Sequence, residues 1–173
     1  MFDLSSLPAD FVNRRARAVE IAALEEAAAA TSTAIPPTLR ALYEAGVQSL
    51  GEVHLFEEDL LDQYNVPAPP WAAELAHSDN PAERLIGEIS EDTRMPGLHQ
   101  TLCFASDNGG VVALVDGTNT LGRGVGAVFA VYPGAPEDAK LIAPDFDGFV
   151  DKALAYFRAE GPIDLISLAR WSR

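Results

Sequence analysis

The stretch that decides the fold is Leu102-Cys103-Phe104-Ala105-Ser106-Asp107-Asn108-Gly109-Gly110, running on through Val111–Asp116. Two apolar runs, His99–Ser106 and Gly110–Asp116, flank a turn of Asp, Asn and Gly. Asn and Gly accept the positive φ of a tight connection, so the pair reads as an antiparallel hairpin. Gly126–Tyr132 and Ala139–Ala143 extend the pattern, separated by Gly117–Gly124 and by Pro133-Gly134-Ala135-Pro136. With Gly51–Phe56, which alternates as a strand should, the chain carries an antiparallel meander of about four to five strands.

Around the meander the apolar period becomes helical. An opening helix is predicted from near Leu7-Pro8 to the Ala27–Ala30 run, because proline suits a first turn and alanine is the best helix former. Ile35–Gly46 reads as a second, short helix, opened by Pro36-Pro37, closed by Gly46, with Leu39, Leu42 and Tyr43 on one face. Glu57–Tyr64 reads as one or two helical turns and Trp71–His77 as another. In Asp145–Ala159, Phe146, Phe149, Val150, Ala153, Leu154 and Phe157 recur at helical spacing and Asp145 is placed to cap the first turn. The tail Gly161–Trp171 has its own apolar period and reads as a packed helix. The fold class is therefore α+β: one domain over 1–173, with a core of about 19–157, an N-terminal helical arm 1–18 and a C-terminal tail 158–173.

Charge bounds the partners. The 173 residues hold 26 acidic and 12 basic side chains, a net charge of −14. Phosphate backbones and anionic lipids select basic patches, so nucleic acid and membrane surfaces are excluded as partners and a basic protein is the natural complement. Residues 51–100 carry 11 acidic and 2 basic side chains, hence −9 of the −14. Most of that charge lies in Glu52/Glu57/Glu58/Asp59/Asp62 and in Glu83/Glu88/Glu91/Asp92, on either side of the proline-rich Val66–Pro70. Arg14, Arg15 and Arg17 form a basic collar on the opening helix. No window reaches the roughly 18 apolar residues of a spanning helix, and Met1–Leu7 lacks the pattern of a secretory signal, so a cytoplasmic location is expected.

The residues that carry chemistry elsewhere are sparse here. His54, His77 and His99 are far apart and offer no i, i+4 ligand pair. The lone Cys103 sits inside an apolar strand, without visible activation. Gly122-Arg123-Gly124-Val125-Gly126 invites a phosphate-loop reading, but a strand follows it rather than a helix, and no Gly-Lys-Ser/Thr is present. Asp107 and Asp116 could be imagined as an acid/base pair, yet both sit beside turn residues, where water keeps carboxylates ordinary. None of these features singles out a catalytic, metal or cofactor site, and no cofactor is expected.

In combination, three stretches resemble the SUKH superfamily, also called the Smi/Knr family. Ile21-Ala22-Ala23-Leu24-Glu25 followed by Ile35–Gly46 is similar to that family's Leu-Glu helix and its Leu-Pro-led second helix. Leu102–Gly110 with Val111–Asp116 resembles its hairpin, and Leu141–Val150 its closing helix. The likeness spans roughly 19–157, weakest over 65–98; Ala45 and Asp145 stand where the family usually has Asn and Ser. The resemblance implies a non-catalytic immunity protein that neutralises a bacterial toxin, often a nuclease and therefore basic, by direct binding. On that expectation Glu57, Glu58, Asp59, Asp62, Glu91 and Asp92 face the partner, with Tyr43, Phe56, Tyr64 and Trp71 as aromatic anchors. The alternative is a regulatory or scaffolding interaction domain without a toxin partner, forming a homodimer through its arms.

Overall fold

A computed structural model of the chain describes residues 7–8, 18–65, 74–85, 100–133 and 135–172. Helices α1 (Ala18–Ala30) and α2 (Pro37–Glu44) precede a short ribbon, β1 (Ser49–Leu50) and β2 (Val53–Leu55), and helix α3 (Glu58–Asn65). Strands β3 (Thr101–Ser106), β4 (Val112–Asp116), β5 (Val128–Tyr132) and β6 (Ala135–Ala143) follow, then α4 (Phe146–Glu160) and α5 (Leu165–Arg170). Residues 74–76 and 81–85 are helical as well. Leu7 and Pro8, the expected start of the opening helix, are not helical; residues 9–17, with Arg14, Arg15 and Arg17, lie outside the described residues, as does the start of the expected Trp71–His77 turn.

The α+β class holds, and the sheet is larger than the four to five strands expected. It has six strands in the order β1-β2-β3-β4-β5-β6, every neighbouring pair antiparallel. The extra strand is β1, two residues that precede the alternating Gly51–Phe56 run, within which Val53–Leu55 forms β2 as expected. Gly51 adopts φ 66° and turns the chain, so that Leu50 faces Val53 across a tight hairpin. Strand β6 also starts earlier than its apolar run, because Tyr132 faces Ala135 and the connection is only two residues long.

Successive residues of β3 and β4 are buried, so both faces of the central sheet are covered. On one face Phe104 meets Phe146 and Phe149 of α4, ring centroids 5.2 and 5.6 Å apart, in edge-to-face geometry. Helix α4 behaves as its periodicity requires: Phe146, Phe149, Val150, Ala153 and Leu154 are buried and Asp145 Oδ1 accepts the Gly148 N–H at 2.7 Å. The tail packs too, with Ile163, Leu165 and Leu168 fully enclosed.

Two polar side chains tie the helical half to the sheet. Strand β2 ends after Leu55 pairs with Ala105, which leaves the N–H and C=O of Cys103 without a strand partner on that side. The amide of Asn65, at the end of α3, replaces it: Oδ1 accepts the Cys103 N–H at 2.7 Å and Nδ2 donates to the Cys103 carbonyl at 2.8 Å. A side-chain amide thus continues the ladder and anchors α3 at its last residue. In the α1–α2 connection the Thr33 hydroxyl donates to the Gln100 carbonyl at 2.9 Å, which also accepts the Gly117 N–H at 3.0 Å. A Cβ at Gly117 would lie 2.5 Å from Thr33 Oγ1, so glycine is what permits this close approach.

Candidate protein-interaction site

Anchored by Asn65, α3 turns Glu58, Asp59 and Asp62 to solvent, with Glu57 exposed at its entry. Glu58 and Asp62 are four residues apart and Asp59 and Asp62 three, so their carboxylates share one patch. Like charges at this spacing cost about 0.2–0.5 kcal/mol per pair. The positive end of the helix dipole offsets this for Glu58 and Asp59 in the first turn, but its effect has faded by Asp62. None of Glu58, Asp59 and Asp62 joins an ion pair with a described residue, whereas Arg40 is held by Glu25 at 2.7 Å and Glu44 at 3.8 Å. Among the described residues the α3 face therefore has no cation paired to its carboxylates.

The expected aromatic anchors are placed differently. Tyr43 and Phe56 are fully enclosed, and the Tyr43 hydroxyl donates to the Phe56 carbonyl at 2.8 Å. As folded, neither reaches the surface to anchor a partner. Aromatic residues beside an acidic run look alike whether they point in or out, and only the tertiary packing distinguishes the cases. Tyr64 is half-buried and stacks on Phe56, centroids 5.0 Å apart, so it is the aromatic residue that α3 partly exposes. Burial, with Cys103 nearby as a smaller cause, raises its hydroxyl pKa. Trp71, Glu91 and Asp92 lie outside the described residues.

A second feature was not visible in the sequence. A cleft of about 360 Å³ opens between the α1–α2 connection, the loop after β4 and the start of α4. Ile35, Pro36, Val115, Val125 and Phe146 make it apolar, and the exposed Asp145 and Asp147 stand at its rim. Asp145 caps α4, while Asp147 Oδ1 accepts the Thr38 hydroxyl, so both carboxylates are fixed in place. Among the described residues no Lys or Arg lines this cleft. Val125, 70% exposed, offers apolar surface at its edge.

The remaining polar groups act as scaffolding. Asp107 and Asp116 form turns as read, but they are buried rather than washed by water, 8% and 0% exposed. Asp107 Oδ1 accepts the N–H groups of Gly109 and Val111, and its Oδ2 accepts the Leu165 N–H at 3.0 Å, joining the β3–β4 hairpin to α5. Asp116 accepts the N–H groups of Thr118, Thr120 and Leu121. Backbone amides replace the water that the sequence reading supplied. Cys103 is buried, and burial pushes its thiol up to about 12, which leaves it protonated and inert near neutral pH. His54 and His77 are exposed, and His99 lies outside the described residues. Among the described residues no three His, Cys, Asp or Glu side chains group to hold a metal ion, and no helix is long and apolar enough to cross a membrane.

Compared with known proteins, the chain matches no family model, no curated protein and no solved structure.

Proposed function

We propose that this chain is a non-catalytic protein-binding domain of the SUKH immunity type, which neutralises a basic toxin domain by occupying its positive surface. The observation that carries the reading is the α3 face, where Glu58, Asp59 and Asp62 share a patch without a cationic partner among the described residues. Nuclease toxins hold phosphate with basic surfaces, and an inhibitor of opposite potential gains association rate and specificity. The partly exposed Tyr64 at the end of the same helix adds an aromatic contact. The apolar cleft with Asp145 and Asp147 at its rim suits an apolar side chain flanked by a cation.

The experiment is to measure binding to the toxin domain encoded by the adjacent gene at low and at raised salt, with the triple variant Glu58→Lys/Asp59→Lys/Asp62→Lys alongside. The expected result is tight binding whose association rate falls with salt, and a loss of at least about tenfold in the variant, mainly in that rate. Affinity indifferent to both salt and charge reversal would sink the electrostatic reading.

A further inference from the structure

The Gly122-Arg123-Gly124-Val125-Gly126 loop has no role in that reading beyond Val125 and Gly126 at the cleft. Its glycine amides are already used. The Gly122 N–H donates to the Asn119 carbonyl at 3.1 Å, the Gly124 N–H to Asn119 Oδ1 at 2.6 Å and the Gly126 N–H to the Asp116 carbonyl at 2.7 Å. The loop therefore offers no backbone cradle to an anion, but its Arg123 side chain is exposed and makes no ion pair with a described residue.

Arg123 lines a hollow of about 500 Å³ between this loop, the edge strand β6 and the end of α5. Lys140 of β6 and Arg170 of α5 line it too. The described residues hold seven Lys and Arg side chains, and three of the seven gather here, in a chain of net charge −14. Of the four described cations elsewhere, Arg40 pairs with Glu25 and Lys152 donates to the Ile142 carbonyl at 3.1 Å, while Arg84 and Arg158 stand apart without an ion pair to a described residue. The hollow's three join no ion pair with a described residue either, although Glu137 also lines it, and only they share one concavity among the described cations. Like charges held around one concavity repel one another, and a bound anion reverses the sign of that interaction. The floor is apolar, made by Leu121, Phe129 and Leu141, the last 37% exposed.

We propose that this hollow binds a small phosphomonoester with an apolar body. Arg123 and Arg170 grip the phosphate through their guanidinium forks, Lys140 adds a point charge, and the ester's body lies on Leu121 and Leu141. The volume is in the range of about 300–1,000 Å³ typical of small-ligand sites. The strongly negative chain opposes an extended polyanion, so a compact, singly phosphorylated ligand is the fitting class. The site is independent of the toxin-binding reading and stands or falls separately.

The test is calorimetric titration of the full chain with adenosine 5′-monophosphate, phenyl phosphate, inorganic phosphate and adenosine. At least one of the two esters binds, inorganic phosphate binds about tenfold more weakly, and adenosine gives no signal. The preferred ester distinguishes a nucleotide from an aryl phosphate, and either preference supports the site. Arg123→Ala and Arg170→Ala each weaken the ester about tenfold, with unfolding temperatures unchanged because both side chains are exposed. The proposal is overturned if neither ester binds at millimolar concentration, or if the Arg123→Ala/Arg170→Ala double variant binds as the parent does. It is also overturned if the esters do not bind and the chain instead self-associates at low salt in a way that Arg123→Glu abolishes, which assigns the three cations to the acidic surface of a second copy.

Discussion

Replacing Asn65 by leucine tests the joint between α3 and the sheet. The substitution keeps the side-chain volume roughly constant and removes the two bonds to Cys103, at 2.7 and 2.8 Å, and the third to the Leu61 carbonyl at 3.0 Å. Asn65 is 8% exposed and Cys103 1%, so water does not replace them. Leaving a buried backbone donor or acceptor unsatisfied costs about 1–3 kcal/mol, and two such groups are orphaned, so the variant should lose about 2–6 kcal/mol. For a chain of this size each kcal/mol lowers the melting temperature by about 2–4 °C, so a loss near about 4 kcal/mol appears as about 8–16 °C. Urea unfolding should show a lower midpoint with an unchanged slope, and the Cys103 amide should lose its protection against hydrogen exchange. Asn65→Asp is the companion variant. Its carboxylate keeps the acceptor for the Cys103 N–H but turns a second acceptor toward the Cys103 carbonyl. Burial beside carbonyls raises the folded-state pKa of that carboxyl, so its penalty grows as pH rises through the unfolded value of about 3.9 and shrinks on acidification. A leucine variant within about 0.5 kcal/mol of the parent, with the Cys103 amide still protected, would refute the account of Asn65 as the strand's substitute.

Three further outcomes are expected. Asp116→Ala strips the acceptor from the amides of Thr118, Thr120 and Leu121, so it should cost about 3–5 kcal/mol and make the following loop a site of limited proteolysis; unaltered melting contradicts this. Gly117→Ala drives a methyl into Thr33 and should destabilise by about 1–3 kcal/mol. In a double-mutant cycle Thr33→Ala should recover part of that loss, whereas strict additivity would show that the two residues do not press on each other. Native Cys103 should resist a thiol reagent at neutral pH and react only on unfolding. Its folded pKa, about 12, lies above the ordinary thiol value of 9.0, so its contribution is fully present below about pH 9 and is lost as pH rises from there toward about 12. Cys103→Ala should therefore flatten the alkaline fall in stability.

The elements with a strong period were legible. Helix α4, its Asp145 cap and its buried face follow from spacing alone, because an amphipathic helix this long must bury its phenylalanines. The β3–β4 hairpin follows from Asp107-Asn108-Gly109-Gly110, where Asp107 Oδ1 accepts the Gly109 and Val111 N–H groups and Gly110 takes φ 76°. The ribbon β1–β2 was not legible. Its turn rests on one positive φ at Gly51, and β1 is only the two residues Ser49–Leu50, too short to show a period. Asn65 gave no signal either, since its partner Cys103 is 38 residues away and no spacing rule connects them.

For the interaction site, composition settles the sign of the charge and the concentration of carboxylates in residues 51–100, and both are properties of the chain whatever its shape. Tertiary structure alone decides which side chains are offered. It withdraws Tyr43 and Phe56 into the core and leaves Glu58, Asp59 and Asp62 exposed. It also assembles Arg123, Lys140 and Arg170 from a loop, an edge strand and the last helix. The physical reason is that burial depends on what packs against a residue from distant parts of the chain, whereas net charge, periodicity and turn chemistry are written locally.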